Sequence, residues 1–260
     1  MDRGSKETIN LKNNTITILY EDPDILAINK PAGLVVHSDG RTEEPTLVDW
    51  IIKKYPKTKG VGEPIVTGEG KTIERPGIVH RLDRGTSGVM LIAKTKKGYA
   101  HLKEQFQNRI VSKKYFAFVY GDMKEKYGII NRPIGKSPSD FRRFSATRGA
   151  KGEMREAETW WTMMAFKSGF SLVEIEPKTG RTHQIRVHFK AINHPVVCDR
   201  LYASDKPVAL GFQRTALHAF FISFKNRKGK EIMVTAPLPK DFKEAMKELG
   251  MEEFAKKRLV

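Results

Sequence analysis

The stretch GIVHRLDRGTSGVML occupies residues 77–91. One carboxylate, Asp83, stands in it between Arg81 and Arg84, and Gly85, Thr86, Ser87 and Gly88 follow at once. The apolar GIV before and GVML after predict a turn that leaves the core, passes Asp83 and returns into a strand. A solitary acid among bases on such a turn has two readings. One is a surface Asp paired with its neighbours, which is common and contributes little. The other is a catalytic carboxylate, held ionised and oriented by the flanking cations, with small residues that admit a ligand. No second acid lies nearby, which argues against glycoside hydrolysis, a reaction that uses two.

Outward from that turn the chain mixes strands and helices. Strands are predicted at 15–20 (TITILY), 24–30 (DILAINK), 88–94, 113–121 (KKYFAFVYG), 155–166, 170–177 and 216–224. Helices are predicted at 45–55, where Thr46 and Asp49 resemble a capping pair, at 96–110, and at 181–192 opening after Gly180. A further helix closes the chain, interrupted near Gly250. Residues 1–14 read as a polar lead-in, 56–77 as a loop, and 131–152 as a long basic loop. Without strict β/α alternation the reading is α+β, one domain over 15–260 with a mixed, mainly antiparallel sheet.

Composition narrows the partner. Of 260 residues, 47 are Lys or Arg and 30 Asp or Glu, a formal net charge of +17, which favours a polyanion. Hydrophobic residues at 39% suffice for a core. One cysteine, Cys198, excludes an intramolecular disulfide framework and fits a reducing compartment. No apolar run approaches the roughly 20 residues that span a bilayer, and no signal-peptide core opens the chain. A cytoplasmic protein without membrane contact is expected.

Other motifs divide into weak and suggestive. His183 and His188 lie five apart, off a shared helical face, and there is no His-Glu-x-x-His, cysteine pair or Walker loop, so no metal is expected. GVG and GEG at 60–62 and 68–70 follow no clear strand and are not a dinucleotide fingerprint. KTGRTHQIRVH (178–188) gathers Arg181, His183, Arg186 and His188 at a helix start, either as an anion site or as a solvated basic face. Its interleaved Ile185, Val187 and Phe189 predict that one arginine faces inward and needs an acid, for which Asp83 is the candidate. In 131–152, Arg132, Lys136, Arg142, Arg143, Arg148 and Lys151 alternate with Phe141 and Phe144. That pattern suits phosphate contact plus base stacking, or a solvated loop.

Six blocks then occur in order: NKPAGLVVH (29–37), HRLDRGTSG (80–88), KKYFAFVYG (113–121), GRTHQIRVH (180–188), NHPVVCD (193–199) and LHA (217–219). Together they resemble the RluA family of RNA pseudouridine synthases, from about residue 20 to residue 239. The resemblance implies one pseudouridine-synthase-like α+β domain with a basic cleft, acting without cofactor or metal. It implies that Asp83 is the catalytic carboxylate and that Tyr115 stacks on the base and assists proton removal from C5. Arg186 would pair with the catalytic Asp, and Arg81 would help to flip the nucleotide. Arg84, Arg142, Arg143, Arg181 and His183 complete the expected RNA contacts. A monomer acting on a structured stem-loop of ribosomal or transfer RNA is expected, without an N-terminal S4 domain. Two positions depart from the family pattern: Gly85, where an acid is common, and Cys198, where Gly is usual.

The isomerisation answers the puzzle of the lone acid. Uracil is both leaving group and returning nucleophile, so no second carboxylate is needed to activate water. Two other readings stay open on sequence: an RNA-binding assembly factor without activity, and an N-glycosidase that would release free uracil.

Overall fold

The computed structural model describes residues 8–11, 14–38, 44–66, 70, 72–147 and 150–256. In chain order the elements begin with strands β1 Thr8–Leu11, β2 Asn14–Glu21 and β3 Ile25–Lys30, then helix α1 Leu47–Lys54. The short strands β4 Ile65–Val66 and β5 Thr72–Ile73 lead to β6 Ser87–Ala93 and α2 Lys96–Gln107. Then come β7 Ser112–Tyr120, β8 Tyr127–Asn131, β9 Ile134–Lys136, β10 Phe144–Ser145, β11 Lys151–Arg155, β12 Glu158–Lys167 and β13 Phe170–Pro177. Helix α3 Gln184–Ala191, strands β14 Leu217–Lys225 and β15 Glu231–Thr235, and helices α4 Lys240–Leu249 and α5 Glu252–Lys256 complete the chain. The fold is α+β, and the ladders described below are antiparallel.

The residues gather into two compact units, Met1–Val111 with Phe221–Ala236, and Ser112–Phe220 with Pro237–Val260. In the first unit β1 pairs β2, β2 pairs β3, and β3 pairs β6 with Ile28 opposite Met90. Every residue of β6 is buried, as its unbroken apolar run requires. Its core joins Ile25, Ala27, Leu91 and Leu102 to Ile222, Phe224 and Val234. The expected capping pair exists. Thr46 Oγ1 accepts the Asp49 N–H and the Asp49 carboxylate accepts the Thr46 N–H, a reciprocal box that opens α1.

In the second unit β7 pairs β13, β13 pairs β12, and β12 pairs β8, with Tyr115 opposite Ile175 and Ile175 opposite Trp161. Gly128 faces Trp161, and a Cβ there would stand 2.6 Å from the indole. The segment 195–197 lies along β7, with Val197 N–H on the Phe118 carbonyl and Tyr120 N–H on the Pro195 carbonyl.

Three expectations are corrected. The polar lead-in contains β1. The loop predicted over 131–152 holds β9, β10 and β11, a small sheet in the order β10-β9-β11; Ile134 buries its side chain with Ala157, Val187 and Tyr202, and Phe144 packs on them. Arg148 of that loop lies outside the described residues. Helix α3 begins at Gln184, later than predicted, because His183 takes the left-handed backbone, φ 57°.

Candidate functional site

The Asp83 turn belongs to the first unit. Gly77 and Ile78 lead into it along β6: the Ala93 N–H donates to the Gly77 carbonyl at 2.9 Å, and Ile78 bridges Ile92. Gly77 has φ +72°, and a Cβ there would stand 2.4 Å from the Ala93 carbonyl oxygen, so the close approach requires glycine. The turn closes with the Thr86 N–H on the Asp83 carbonyl, 3.0 Å. Asp83 is half-buried between buried Leu82 and buried Thr86.

The flanking arginines reach the NKPAGLVVH block and the residues just past it. Arg81 Nη1 lies 3.1 Å from His37 Nε2, whose ring Nδ1 meets the Ser38 carbonyl. Arg84 forms an ion pair with Glu44 and donates Nε to the Gly33 carbonyl. Beneath them Lys30 is wholly buried, and its ammonium donates to the carbonyls of Pro31 at 2.9 Å, Leu34 at 2.8 Å and Arg84 at 3.5 Å. A buried cation satisfied by backbone acceptors clamps two loops at once. His80, also in the motif, is structural: Nε2 accepts the Leu91 N–H and the ring stacks on Phe106.

The second unit holds Tyr115, Arg142, Arg143, Arg181, His183 and Arg186. Tyr115 is half-buried on β7. Two residues earlier on the same strand face, Lys113 is held down to about 8 by burial, partly opposed by the nearby Glu176 carboxylate. Arg186, on α3, donates Nε to Asp199 Oδ2 at 2.6 Å and Nη2 to Oδ1 at 2.8 Å, a two-bond fork on a carboxylate that is fully buried. The inward arginine predicted in this block is therefore present, with Asp199 as a carboxylate the sequence reading did not single out.

Asp199 is placed by the 195–197 segment on β7 and by the turn after it, where its Oδ1 accepts the Leu201 and Tyr202 N–H groups. The preceding Cys198 has φ 56°, the left-handed backbone that glycine adopts at least cost. This is the position at which glycine is usual in the family that the chain resembles.

The rest of the GRTHQIRVH block divides between structure and surface. Gln184 is buried: its carbonyl oxygen accepts from Thr179 Oγ1 and the Arg181 N–H, and its amide donates to the Glu158 carbonyl and Thr159. His188 is fully buried between Thr159 Oγ1 and the Arg132 carbonyl, and burial lowers its pKa. It thus leaves the candidate anion cluster for the core. Arg181 is partly exposed, with Nε on the Glu156 carbonyl.

At the tip of the small sheet Phe141 is 86% exposed. Arg142 grips Asp140 with Nε at 3.0 Å and Nη2 at 2.9 Å, which pulls the carboxyl down to about 2. Arg143 lies 3.4 Å from the same carboxylate. Phe144, the other aromatic of the stretch, is half-buried against His183. Among the described residues no three His, Cys, Asp or Glu side chains come together to hold a metal ion, and no helix is long and apolar enough to cross a membrane.

The family described as RNA pseudouridylate synthase matches residues 24–191. An uncharacterized RNA pseudouridine synthase of Synechocystis is 38% identical over 236 residues, 90% of this chain and 69% of that protein. Ribosomal large subunit pseudouridine synthase D of Zymomonas mobilis is 33% identical over 234 residues, 87% of this chain and 70% of that protein. Among solved structures, human RNA pseudouridylate synthase domain containing 4 is similar at a TM-score of 0.69 and 25% identity, covering 90% of this chain and 92% of the other. The chain belongs to the RNA pseudouridylate synthase family. Its members are isomerases that act on RNA, and this chain is an RNA pseudouridine synthase.

Proposed function

We propose that this enzyme converts specific uridines of structured ribosomal or transfer RNA to pseudouridine with Asp83 as the catalytic carboxylate. The supporting observation is the construction of the Asp83 turn. A wholly buried lysine, two arginines and a glycine pressed on a strand fix the backbone around one half-buried acid. That investment exceeds what a surface ion pair requires.

In the reaction the N1–C1′ bond breaks, the uracil rotates, and C5 joins C1′ and loses its proton. Asp83 either attacks C1′, displacing N1 to give an ester that C5 then displaces, or removes the C2′ proton and returns it once C5 has added to C1′; in both cases C5 loses a proton, N1 gains one, the uracil is retained and no water enters. Tyr115 stacks on the base and helps take the C5 proton, and Arg186 completes the catalytic set, oriented by Asp199. Arg81, Arg84, Arg142, Arg143, Arg181 and His183 contact the RNA. Extruding a nucleotide costs a few kcal/mol, which those contacts offset. The Zymomonas relative is named for the ribosomal large subunit, which supports large-subunit ribosomal RNA as the first target to try. A monomer in the cytoplasm, where RNA is accessible, is the simplest working form.

The test is incubation with unmodified bulk RNA followed by nucleoside analysis. Pseudouridine without free uracil is the expected product. Free uracil would make the protein an N-glycosidase, and unchanged RNA with tight binding would make it an assembly factor.

A further inference from the structure

Tyr202 lies in the turn after Asp199 and is 6% exposed. Its contacts within the second unit include the following. Its hydroxyl oxygen accepts the N–H of Phe144, at the start of β10, at 2.9 Å. The same hydroxyl lies 2.9 Å from His183 Nδ1, to which it donates in the tautomer that leaves Nδ1 unprotonated. Its ring carries the Arg186 guanidinium, with Cζ 5.0 Å from the centroid. Its backbone N–H donates at 3.1 Å to Asp199 Oδ1, the oxygen that Arg186 Nη2 also uses.

The rings of Phe144 and Tyr202 both meet His183 edge-on, at 5.9 and 5.6 Å. One side chain therefore ties the root of the basic small sheet to the arginine of α3. The sheet's tip carries exposed Phe141 with Arg142 and Arg143, and Ser137 N–H on the Arg143 carbonyl links tip to strand.

We propose that Tyr202 is a positioning residue that couples occupation of this basic sheet by RNA to the orientation of Arg186. The inference rests on the reading above, in which the tip contacts RNA and Arg186 belongs to the catalytic set. A phosphate drawn to Arg142 and Arg143 pulls on β10. The Phe144 N–H then moves relative to the hydroxyl it anchors, and the ring under the guanidinium moves with it. The planar fork that Arg186 makes on Asp199 is sensitive to that movement, because a guanidinium tilted out of the carboxylate plane weakens both of those bonds together. The specificity consequence is that an RNA able to fill the active turn but not the basic sheet is bound yet turned over slowly.

The experiment is a cycle of Tyr202→Phe against Arg142→Ala with Arg143→Ala, read as single-turnover pseudouridine formation on an unmodified large-subunit ribosomal RNA transcript. Tyr202→Phe keeps the ring and removes the bridge. It should slow the saturating rate about tenfold while half-saturation stays within about threefold. Adding the arginine changes to Tyr202→Phe should slow the saturating rate no further. Effects that simply multiply, or a Tyr202→Phe enzyme at full rate, would overturn the coupling.

A second readout does not depend on activity. The Arg186 Nε–Hε NMR resonance of the intact protein should shift when a uridine dodecamer binds, and should not shift in Tyr202→Phe. If that variant fails to fold, the wild-type resonance decides alone, and its indifference to the dodecamer would contradict the proposal. An active wild-type enzyme with multiplying effects removes the coupling and leaves the functional reading intact. An inactive wild type with a responsive resonance does the reverse.

Discussion

Arg186 and Asp199 form a buried fork, with guanidinium nitrogens 2.6 and 2.8 Å from the two carboxylate oxygens. Asp199 is fully buried and Arg186 nearly so. Losing Arg186 therefore strands the buried carboxylate of Asp199. Arg186→Leu should cost about 3–5 kcal/mol, the range for breaking a buried pair. Adding Asp199→Asn should recover part of that loss, since the amide oxygen still accepts the Leu201 and Tyr202 N–H groups. A denaturation double-mutant cycle measures this; strictly additive losses would show that the pair contributes nothing as a pair.

Lys30 makes a second prediction. Lys30→Met keeps the apolar stem and removes the ammonium, leaving the carbonyls of Pro31 and Leu34 without that donor, while the Arg84 carbonyl keeps the Gly33 N–H at 2.8 Å. Each buried acceptor left unpaired costs about 1–3 kcal/mol, and each kcal/mol lowers Tm by about 2–4 °C in a chain of this size. Activity should fall further than stability, because the same donor fixes the backbone of Arg84 beside Asp83. A variant that loses stability but keeps full turnover would remove Lys30 from the site's support.

His188 sets a pH dependence. Burial lowers its folded-state pKa, so the unfolded chain binds the proton more readily. Its contribution is present above the unfolded value of about 6.5 and is lost as pH falls through the lower folded value. Stability should decline on acidification through that window, and His188→Gln, which keeps a donor and an acceptor, should flatten the decline. Chemical denaturation at pH 7.5 and 5.5 compares them; equal slopes would assign the acid sensitivity elsewhere.

The basic tip carries its own competitor. Asp140 occupies the Arg142 fork in the free protein. Asp140→Asn should tighten RNA binding and steepen its salt dependence, while Arg142→Ala with Arg143→Ala should flatten the log–log slope by roughly one to two units, about 0.7 per single-strand contact. Filter binding across salt concentrations reads both, and an unchanged slope in each would leave the tip a solvated surface.

Much of this was legible in the sequence because periodicity and burial agree. The alternating TITILY and the apolar ILAIN and GVMLIA runs became β2, β3 and β6, and Thr46 with Asp49 became the cap of α1. The family blocks located the Asp83 turn and Arg186. The basic stretch over 131–152 hid its strands, because Lys, Arg and Gly mask the alternation and only Ile134 and Phe144 anchor it. The late start of α3 was hidden because a left-handed histidine carries no compositional signal. Asp199 and Tyr202 sat in or beside a quoted block, but their partners are distant in sequence and become visible only when 195–197 is laid on β7. Lys30 offered a clue, a lysine closing a buried strand, that spacing alone could not turn into a clamp.

The most direct measurement is single-turnover conversion of unmodified large-subunit ribosomal RNA transcript by wild-type protein and by Asp83→Asn, with RNA affinity measured on the same samples. Asn keeps the shape of the side chain but is a poor nucleophile and base. The account predicts pseudouridine from the wild type, none from the variant, and affinities within about threefold of each other. Turnover by Asp83→Asn, once deamidation back to Asp is excluded by mass spectrometry, would contradict the assignment of Asp83 as the catalytic carboxylate.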